Sequence, residues 1–284
     1  MDFIVFSASN NSNSIALCRR DKDKEDYLEI DVVKIPEFKV LYHFNAHGDW
    51  QDHRIAISDD GEYVATSIWE DFGKGHVHVY KNGCEVLDSR KFNRIDRIAF
   101  SDRNDLRIMH KEKTYLMDVS SGEIKDVQNY YDMIHNAFGE DIILKHDNMI
   151  YYAGKKIKSS TFAYFDVIGT PDGLLASEVS NCLIRYDASG NKVWESATRE
   201  YGHIINAMYD SIHKVIYCYT FRGVSIIVDY DSGEVIKSFN IEPAGFMFFL
   251  IDEQIYIFKP DGKCFKVDQN GLGDLVFDLD SLVG

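Results

Sequence analysis

The chain has 284 residues, of which 45% are hydrophobic and 13% aromatic, so it can bury a sizeable core in one large domain or two smaller ones. Its formal net charge is −15 and its isoelectric point is about 5.0, a balance that repels nucleic acid and anionic membranes and attracts basic partners. Direct binding to DNA or RNA is therefore disfavoured.

The first residues, MDFIVFSASNNSNS, have neither the basic region nor the apolar core of a signal peptide. No window of the sequence approaches the roughly eighteen apolar residues that a membrane span needs. We therefore expect a soluble, cytoplasmic protein with no membrane partner. Five cysteines lie in or beside predicted strands, and none forms a CxxC pair: Cys18, Cys84, Cys182, Cys218 and Cys264. We expect them to be small buried hydrophobic residues of a reducing compartment.

The first segment, Asp2 to Phe44, contains four candidate strands in the phrases DFIVFSAS, NSIALCRR, YLEIDVVK and FKVLYHF. Each phrase is rich in β-branched and aromatic residues, and polar, charged or proline-containing stretches separate one phrase from the next. The segment therefore predicts a first unit of four strands.

The stretch from Arg54 to Phe92 contains the clearest unit. Asp59-Asp60-Gly61 predicts a tight turn after its first strand, because glycine adopts a positive φ without steric cost. Asn82-Gly83 is the strongest short hairpin signal that a sequence offers, and it separates the third strand from the fourth. The stretch therefore predicts a four-stranded antiparallel meander of about forty residues.

Variants of this unit fill the rest of the chain. They span the following segments: Arg97 to Val127, Tyr131 to Ser160, Ala163 to Ala197, Ile204 to Ile241 and Gly245 to Asp280. The glycine of the second hairpin recurs at positions 83, 122, 154, 190, 233 and 271, at intervals of 39, 32, 36, 43 and 38 residues. Because each sheet can bury its faces only against neighbouring sheets, this period favours radial repetition. The predicted fold is all-β, a single β-propeller domain over residues 1–284 with seven four-stranded antiparallel blades, and six or eight blades are the alternatives.

Two phrases, SDDGEYVAT and YDSGEVIKSF, resemble those of WD40-type propeller repeats. Such repeats carry [ST]-x-[DN]-G in the first hairpin and D-x-x-[ST]-G-x in a later strand pair. The resemblance covers most of the chain from about residue 50. The Gly-His and Trp-Asp dipeptides of a strict WD40 repeat are missing, and DASGNKVWESA instead resembles the blade phrase of quinoproteins. The resemblance implies a divergent WD40-like propeller.

No enzyme motif is present: the sequence lacks GxSxG, HExxH, GxGxxG, a P-loop and a calcium-binding loop. His76 and His78 lie two residues apart and share one face of a strand, as metal ligands can, but no cysteine or carboxylate cluster accompanies them in the sequence. We interpret them as strand histidines that face solvent or a neighbouring blade. The sequence therefore predicts no catalysis, no cofactor and no metal site.

In a propeller, the loops that join blades and the loops between the second and third strands emerge on the same face. Here these loops carry acidic and aromatic residues together with one arginine: Asp49, Trp50, Asp52, Trp69, Glu70, Asp71, Phe72, Tyr130, Tyr131, Asp132, Glu178, Glu200, Tyr201, Phe221, Arg222 and Glu242. Exposed aromatic residues beside carboxylates are typical of an interface that docks a basic protein surface. The alternative is that the aromatic residues cap the ends of the sheets and the acids are ordinary surface.

In size, charge and expected fold, the chain is similar to immunity proteins of bacterial contact-dependent growth-inhibition and other polymorphic toxin systems. That resemblance implies a monomeric, non-catalytic antitoxin that neutralises a basic toxin domain, typically a nuclease. A general WD40-like scaffold or adaptor for several proteins is the alternative, and a hydrolase or lyase centred on the channel is a second alternative.

Overall fold

A computed structural model describes residues 4–8, 14–20, 27–49, 54–70, 74–92, 95–101, 105–110, 113–130, 132–134, 142–145, 149–159, 164–178, 182–241, 247–251, 254–268 and 271–282. Across these residues the chain forms 28 strands in seven antiparallel four-stranded sheets, with a short 3-10 helix at Leu279–Leu282. Each sheet uses four consecutive strands in sequential order. The predicted fold class is therefore confirmed: the protein is all-β, a WD40-like β-propeller of seven blades.

The chain forms two compact units, and the first, Met1–Tyr131, contains three blades. The first blade consists of β1 (Ile4–Ala8), β2 (Ser14–Arg20), β3 (Tyr27–Lys34) and β4 (Lys39–His47). The second blade consists of β5 (Ile55–Ile57), β6 (Tyr63–Glu70), β7 (Lys74–Lys81) and β8 (Cys84–Phe92). The third blade consists of β9 (Arg97–Phe100), β10 (Leu106–His110), β11 (Lys113–Met117) and β12 (Ile124–Gln128).

The second unit, Asp132–Gly284, contains the other four blades. The fourth consists of β13 (Asp132–Ile134), β14 (Ile142–Lys145), β15 (Met149–Tyr152) and β16 (Lys155–Ser159). The fifth consists of β17 (Tyr164–Thr170), β18 (Gly173–Glu178), β19 (Cys182–Asp187) and β20 (Lys192–Ala197). The sixth consists of β21 (Ile204–Asp210), β22 (Val215–Thr220), β23 (Val224–Asp229) and β24 (Val235–Asn240). The seventh consists of β25 (Met247–Ile251), β26 (Gln254–Phe258), β27 (Lys263–Asp268) and β28 (Gly271–Asp278).

Local turn chemistry accounts for the hairpins. Asn82 and Gly83 both have positive φ, 48° and 81°, which is the two-residue turn whose twist suits a hairpin. In the longer turn after β23, the Asp229 carboxylate accepts a hydrogen bond from the amide of Ser232 at 2.7 Å, and the Gly233 amide donates to the Asp229 carbonyl at 2.9 Å. The D-x-x-S-G phrase therefore closes its own turn, and the recurring glycines mark the blades because of this chemistry.

The hydrophobic core lies between neighbouring sheets. In the first unit, Val77 and Phe92 of the second blade pack in one cluster with Ile98 and Leu106 of the third. In the second unit, the fifth and sixth blades share another cluster, which includes Leu175. A four-stranded sheet cannot bury both of its faces alone, so the repeat itself supplies the partner for each face.

The cysteines follow the prediction with one exception. Cys18, Cys182, Cys218 and Cys264 are buried and have free thiols, and burial raises the pKa of the Cys218 thiol far above its ordinary value. Cys84 is exposed, so the expectation of burial was wrong there. Cys84 is the first residue of β8, the edge strand of its blade, which pairs with another strand on one side only. Among the described residues, no helix has the length and apolar character needed to cross a membrane.

Candidate partner-binding surface

The structure describes part of the predicted acidic and aromatic surface. The residues with described side chains are Asp49, Tyr130, Glu178, Glu200, Tyr201, Phe221 and Arg222. Trp69 and Glu70 end β6 and Asp132 begins β13, and of these three the structure describes the backbone. The other predicted residues lie outside the described residues: Trp50, Asp52, Asp71, Phe72, Tyr131 and Glu242.

Two loops of the second unit meet at Phe221. One joins the fifth blade to the sixth, and the other joins β22 to β23. The Phe221 amide donates to the His203 carbonyl at 2.8 Å, and Arg222 Nη1 donates to the Glu200 carbonyl at 3.2 Å. Four predicted residues thus come together, and they are called the Phe221 surface: Glu200, Tyr201, Phe221 and Arg222.

Glycine shapes both loops of the Phe221 surface. Gly223 has a φ of 78°, and its amide donates to the Thr220 carbonyl at 3.0 Å, which closes a turn with Phe221 at its second position. Gly202 has a φ of 95°, and a Cβ atom there would lie 2.9 Å from Cγ of Arg222. The Arg222 side chain therefore lies against backbone that only glycine can provide.

Exposure and charge differ among the four residues. Phe221 is 73% exposed, the largest value among the described large hydrophobic residues, and Glu200 and Arg222 are exposed beside it. Tyr201 is half-buried because its ring packs against the core shared by the fifth and sixth blades. A hydrogen bond with Glu200, together with some burial and the charge of that carboxylate, raises the pKa of Tyr201 above its ordinary value, so this phenol stays neutral at physiological pH. The surface thus presents an exposed apolar ring, a cation and an anion on two adjoining loops.

Glu178 does not share this exposure. It is the last residue of β18 and is only 6% exposed. All the other residues of that strand are buried as well. β18 is an inner strand of its blade, so adjacent strands and adjacent sheets cover it. Its carboxylate is therefore not part of a solvent-facing acidic patch, which differs from the prediction.

Asp49 and Tyr130 belong to the first unit. Asp49 is half-buried, and its amide donates to the Ser67 carbonyl at 3.1 Å, so the loop after the first blade lies beside β6. Tyr130 is also half-buried, and its carbonyl accepts a hydrogen bond from the Thr114 hydroxyl at 3.1 Å. Each residue is therefore held by a strand of its own unit.

A second polar cluster, which the sequence reading missed, lies on the second blade. His76 and His78 are buried on β7, and Asp88 of β8 lies beside them, with one potential ligand atom from each residue within 4.8 Å of the others. Glu85 also faces this group, since its Oε1 atom lies 2.6 Å from Nδ1 of His78. The sequence showed no cysteine or carboxylate cluster with the two histidines, whereas the fold brings Asp88 and Glu85 beside them. The alternative that these histidines face a neighbouring blade agrees with the structure, because the His78 ring stacks on the ring of His47 of the first blade, with centroids 5.3 Å apart.

A β-bulge explains why the sequence hid this cluster. Counted from the two-residue turn at Asn82-Gly83, regular pairing would place His78 opposite Leu87 and turn Asp88 to the other face of the sheet. The register instead shifts between Val79 and Tyr80, so His78 pairs with Asp88. One extra residue on β8 thus brings a carboxylate to the histidine face. The two-residue spacing of the histidines was the signal of a possible site in the sequence. No sequence motif marked the β-bulge that adds Asp88 to it.

Comparison with known proteins gives a fold and no family. No protein-family model and no curated protein sequence matches this chain. Among solved structures, 1292 chains match, so the architecture is too widely shared to select a function.

Three of these structures show the extent of the likeness. Hsv2 of Kluyveromyces marxianus has 12% sequence identity and a TM-score of 0.69, over 99% of this chain and 95% of that one. Sqt1 of Saccharomyces cerevisiae has 11% identity and a TM-score of 0.63, over 97% and 84%. BamB of Moraxella catarrhalis has 12% identity and a TM-score of 0.62, over 91% and 81%. Identities this low show a shared WD40-like propeller fold, and function must be argued from the site itself.

Proposed function

We propose that this protein is a non-catalytic, cytoplasmic scaffold that binds protein partners through the Phe221 surface. The observation that carries the proposal is the 73% exposure of Phe221, at the tip of a loop whose backbone is held by a hydrogen bond to His203. Aromatic rings and arginines are the residue types enriched at the centres of protein interfaces. Loops supported by a rigid β scaffold are common places for such a binding site.

The geometry also lowers the cost of binding. The two loops are tied to each other by the Phe221 amide and by the Arg222 guanidinium, so little backbone freedom remains to be lost when a partner docks. Arg222 and Glu200 are also exposed on these two loops and carry opposite charges. A partner that inserts an apolar pocket over Phe221 and offers a complementary charge at the rim fits this arrangement.

The test compares Phe221→Ala and Arg222→Glu with a matched control, Ile236→Ala. Ile236 is 58% exposed on β24, the outer strand of the same blade, so it controls for the loss of an exposed apolar side chain. Partners would be identified by crosslinking and quantitative mass spectrometry, and their affinities measured by calorimetry with purified proteins. We expect each surface variant to weaken binding by about ten-fold or more, and the control to bind as the wild type does. Equal affinity for all variants would exclude the Phe221 surface as the docking site.

A narrower form of the proposal is an immunity protein that binds a basic toxin, specifically a nuclease domain. The net charge of −15 favours it, because a strongly acidic protein attracts a basic partner over long range and speeds association. Such a protein should capture one partner at very high affinity, with an association rate that falls steeply as salt is added. Binding of several partners at modest affinity, together with an adjacent gene unrelated to toxins, would exclude the immunity-protein proposal and leave the proposal of a general scaffold.

The absence of turnover is part of the same proposal. We expect no activity towards sugar, lactone or ester substrates, which are the classes a channel-centred hydrolase or lyase would take. Reproducible hydrolysis that survives Phe221→Ala would show that the protein is an enzyme instead.

A further inference from the structure

The cluster on the second blade has the donor atoms of a metal site. His76 and His78 contribute imidazole nitrogens and Asp88 contributes carboxylate oxygens, and one such atom from each residue lies within 4.8 Å of the others. Two ligand atoms bound to one tetrahedral zinc ion at about 2.0–2.1 Å lie about 3.3 Å apart. The potential ligand atoms of the three residues lie up to 4.8 Å apart, and small side-chain rotations on the two adjacent strands would bring them to the separation that one zinc ion requires.

Glu85 selects the ring nitrogen that could bind. Its Oε1 atom lies 2.6 Å from Nδ1 of His78, and an ionised carboxylate can only accept a hydrogen bond. A His78 ring that donates from Nδ1 to this carboxylate presents Nε2 as the nitrogen whose lone pair a metal ion requires. Metal-binding histidines characteristically donate their second ring nitrogen to a carboxylate in this way, which orients the ring and makes it a better ligand.

Burial and access also suit a bound ion. The two imidazoles are almost fully covered, with side-chain exposures of 7% and 9%, whereas Asp88 is 38% exposed. The cluster therefore has a protected side formed by the rings and an open side at the carboxylate, by which an ion can enter. Imidazole nitrogen favours zinc and its transition-metal neighbours over magnesium and calcium, which prefer sets of oxygen ligands.

We propose that His76, His78 and Asp88 bind one Zn²⁺ ion, that Glu85 orients His78 from outside the ligand set, and that a fourth coordination position is open to water. The ion would link β7 to β8 across the bulge, next to the ring of His47 on the first blade. This inference does not depend on the Phe221 surface, since every residue in it belongs to the first unit.

The test uses full-length protein from which any affinity tag and bound metal have been removed, titrated with Zn²⁺ alone. We expect calorimetry to show one ion per chain and the melting temperature to rise as zinc is added, because a ligand that binds only the folded state stabilises it. Asp88→Asn, which keeps the shape of the side chain, should weaken binding at least ten-fold. Glu85→Ala should weaken it by about 10–100-fold, as expected for a residue that supports a ligand.

His43→Ala provides the matched control. His43 is an exposed histidine that pairs with Asp31 at 2.9 Å on the first blade. This variant should bind zinc as tightly as the wild type does. Co²⁺ added in place of zinc should give the intense visible absorption of a tetrahedral site in the wild type and in His43→Ala, and lose it in Asp88→Asn. Absence of stoichiometric zinc binding in the wild type, or wild-type affinity in Asp88→Asn, would overturn the proposal.

Discussion

At the junction between the fifth and sixth blades, an ion pair of the fifth blade contacts a tyrosine of the sixth, whereas the junction between the first and second blades is lined by imidazoles. In the former, Arg185 of β19 pairs with Asp172, donates to the Tyr230 carbonyl at 3.2 Å and lies 4.0 Å above the Tyr230 ring. The Tyr230 hydroxyl also donates to Asp172. Burial, together with this hydrogen bond, raises the pKa of Tyr230 to about 12, so the hydroxyl remains a donor.

In the junction of the first two blades, rings take the place of the ion pair. His47 stacks on His78, and its amide donates to the Tyr80 hydroxyl at 2.8 Å. An imidazole ring has a nitrogen that can serve as a metal ligand, which a guanidinium lacks, and the carboxylates beside these rings are partly exposed. Two polar junctions of one fold therefore differ: an ion pair bound to Tyr230 holds two blades together, whereas two histidines and Asp88 bring potential metal-ligand atoms close to one another. Four predictions test this distinction.

Replacement of Tyr230 by alanine should have the largest effect. The ring belongs to the core between the fifth and sixth blades, packs on Tyr209 with centroids 4.3 Å apart and carries the guanidinium of Arg185. Its loss should lower the free energy of unfolding by about 3–5 kcal/mol, measured by urea denaturation. Tyr230→Phe, which removes only the hydroxyl, should cost about 1 kcal/mol. Equal losses in the two variants would mean that the ring contributes nothing beyond its hydrogen bond.

Replacement of Asp172 by alanine should have the next largest effect. Arg185 is buried, so without this carboxylate its positive charge would lose its partner, at a cost of about 1–3 kcal/mol that the partial exposure of Asp172 keeps at the lower end. A double-mutant cycle with Arg185→Met measures the coupling directly. Strictly additive losses would contradict the role assigned to the ion pair.

Acid should weaken the same junction. Burial alone would raise the pKa of Asp172, but hydrogen bonds from Tyr230 and Arg185 and the guanidinium charge outweigh it, so the pKa lies below its ordinary value of 3.8. A carboxyl whose pKa is lowered by folding stabilises the protein above the unfolded value, and that contribution is lost as the pH falls through the folded value. We expect wild-type stability, followed by urea denaturation at decreasing pH, to fall more steeply below about pH 4 than that of Asp172→Asn. Parallel pH profiles would show that Asp172 is not held in its charged form by this network.

Replacement of Glu85 by alanine should have the smallest effect in metal-free protein. The carboxylate is 43% exposed, and a contact of this kind contributes about 1 kcal/mol or less to the free energy of unfolding. With zinc present, the gap between this variant and the wild type should widen. If Glu85→Ala without metal lowered the free energy of unfolding as much as Asp172→Ala does, the histidine cluster would also be a structural junction. The contrast between the two junctions would then disappear.

Much of the fold could be predicted because it depends on local chemistry. The unit predicted from Arg54 to Phe92 agrees with the second blade, whose strands begin at Ile55 and end at Phe92. Its turns require a positive φ at Gly61 and Gly83, and glycine at these positions made the turns predictable. Part of the candidate site followed from the same reasoning. Phe221 and Glu200 were expected in loops of the same propeller face because strand order determines on which side of a blade each loop emerges, and in the structure these two loops meet.

Burial and exact register could not be predicted in this way. Glu178 looks like a loop residue in the sequence, but β18 continues through it and the surrounding strands cover it. A charged side chain prefers solvent, but this preference does not decide where an inner strand such as β18 ends, because the strand pairs with a neighbour on each side.

The sequence by itself determined the all-β class, the propeller fold and the positions of the glycine-marked hairpins, because tight turns depend on a few neighbouring residues and recur with the unit, and the structure then decided for seven blades. Only the tertiary structure decided which polar side chains meet. The shift between Val79 and Tyr80 moves Asp88 onto the face of His76 and His78, and the packing of the sixth blade on the fifth brings Tyr230 to Arg185. A one-residue change of register reverses the face of every side chain beyond it, and a contact between blades joins residues far apart in the chain, so neither leaves a local mark in the sequence.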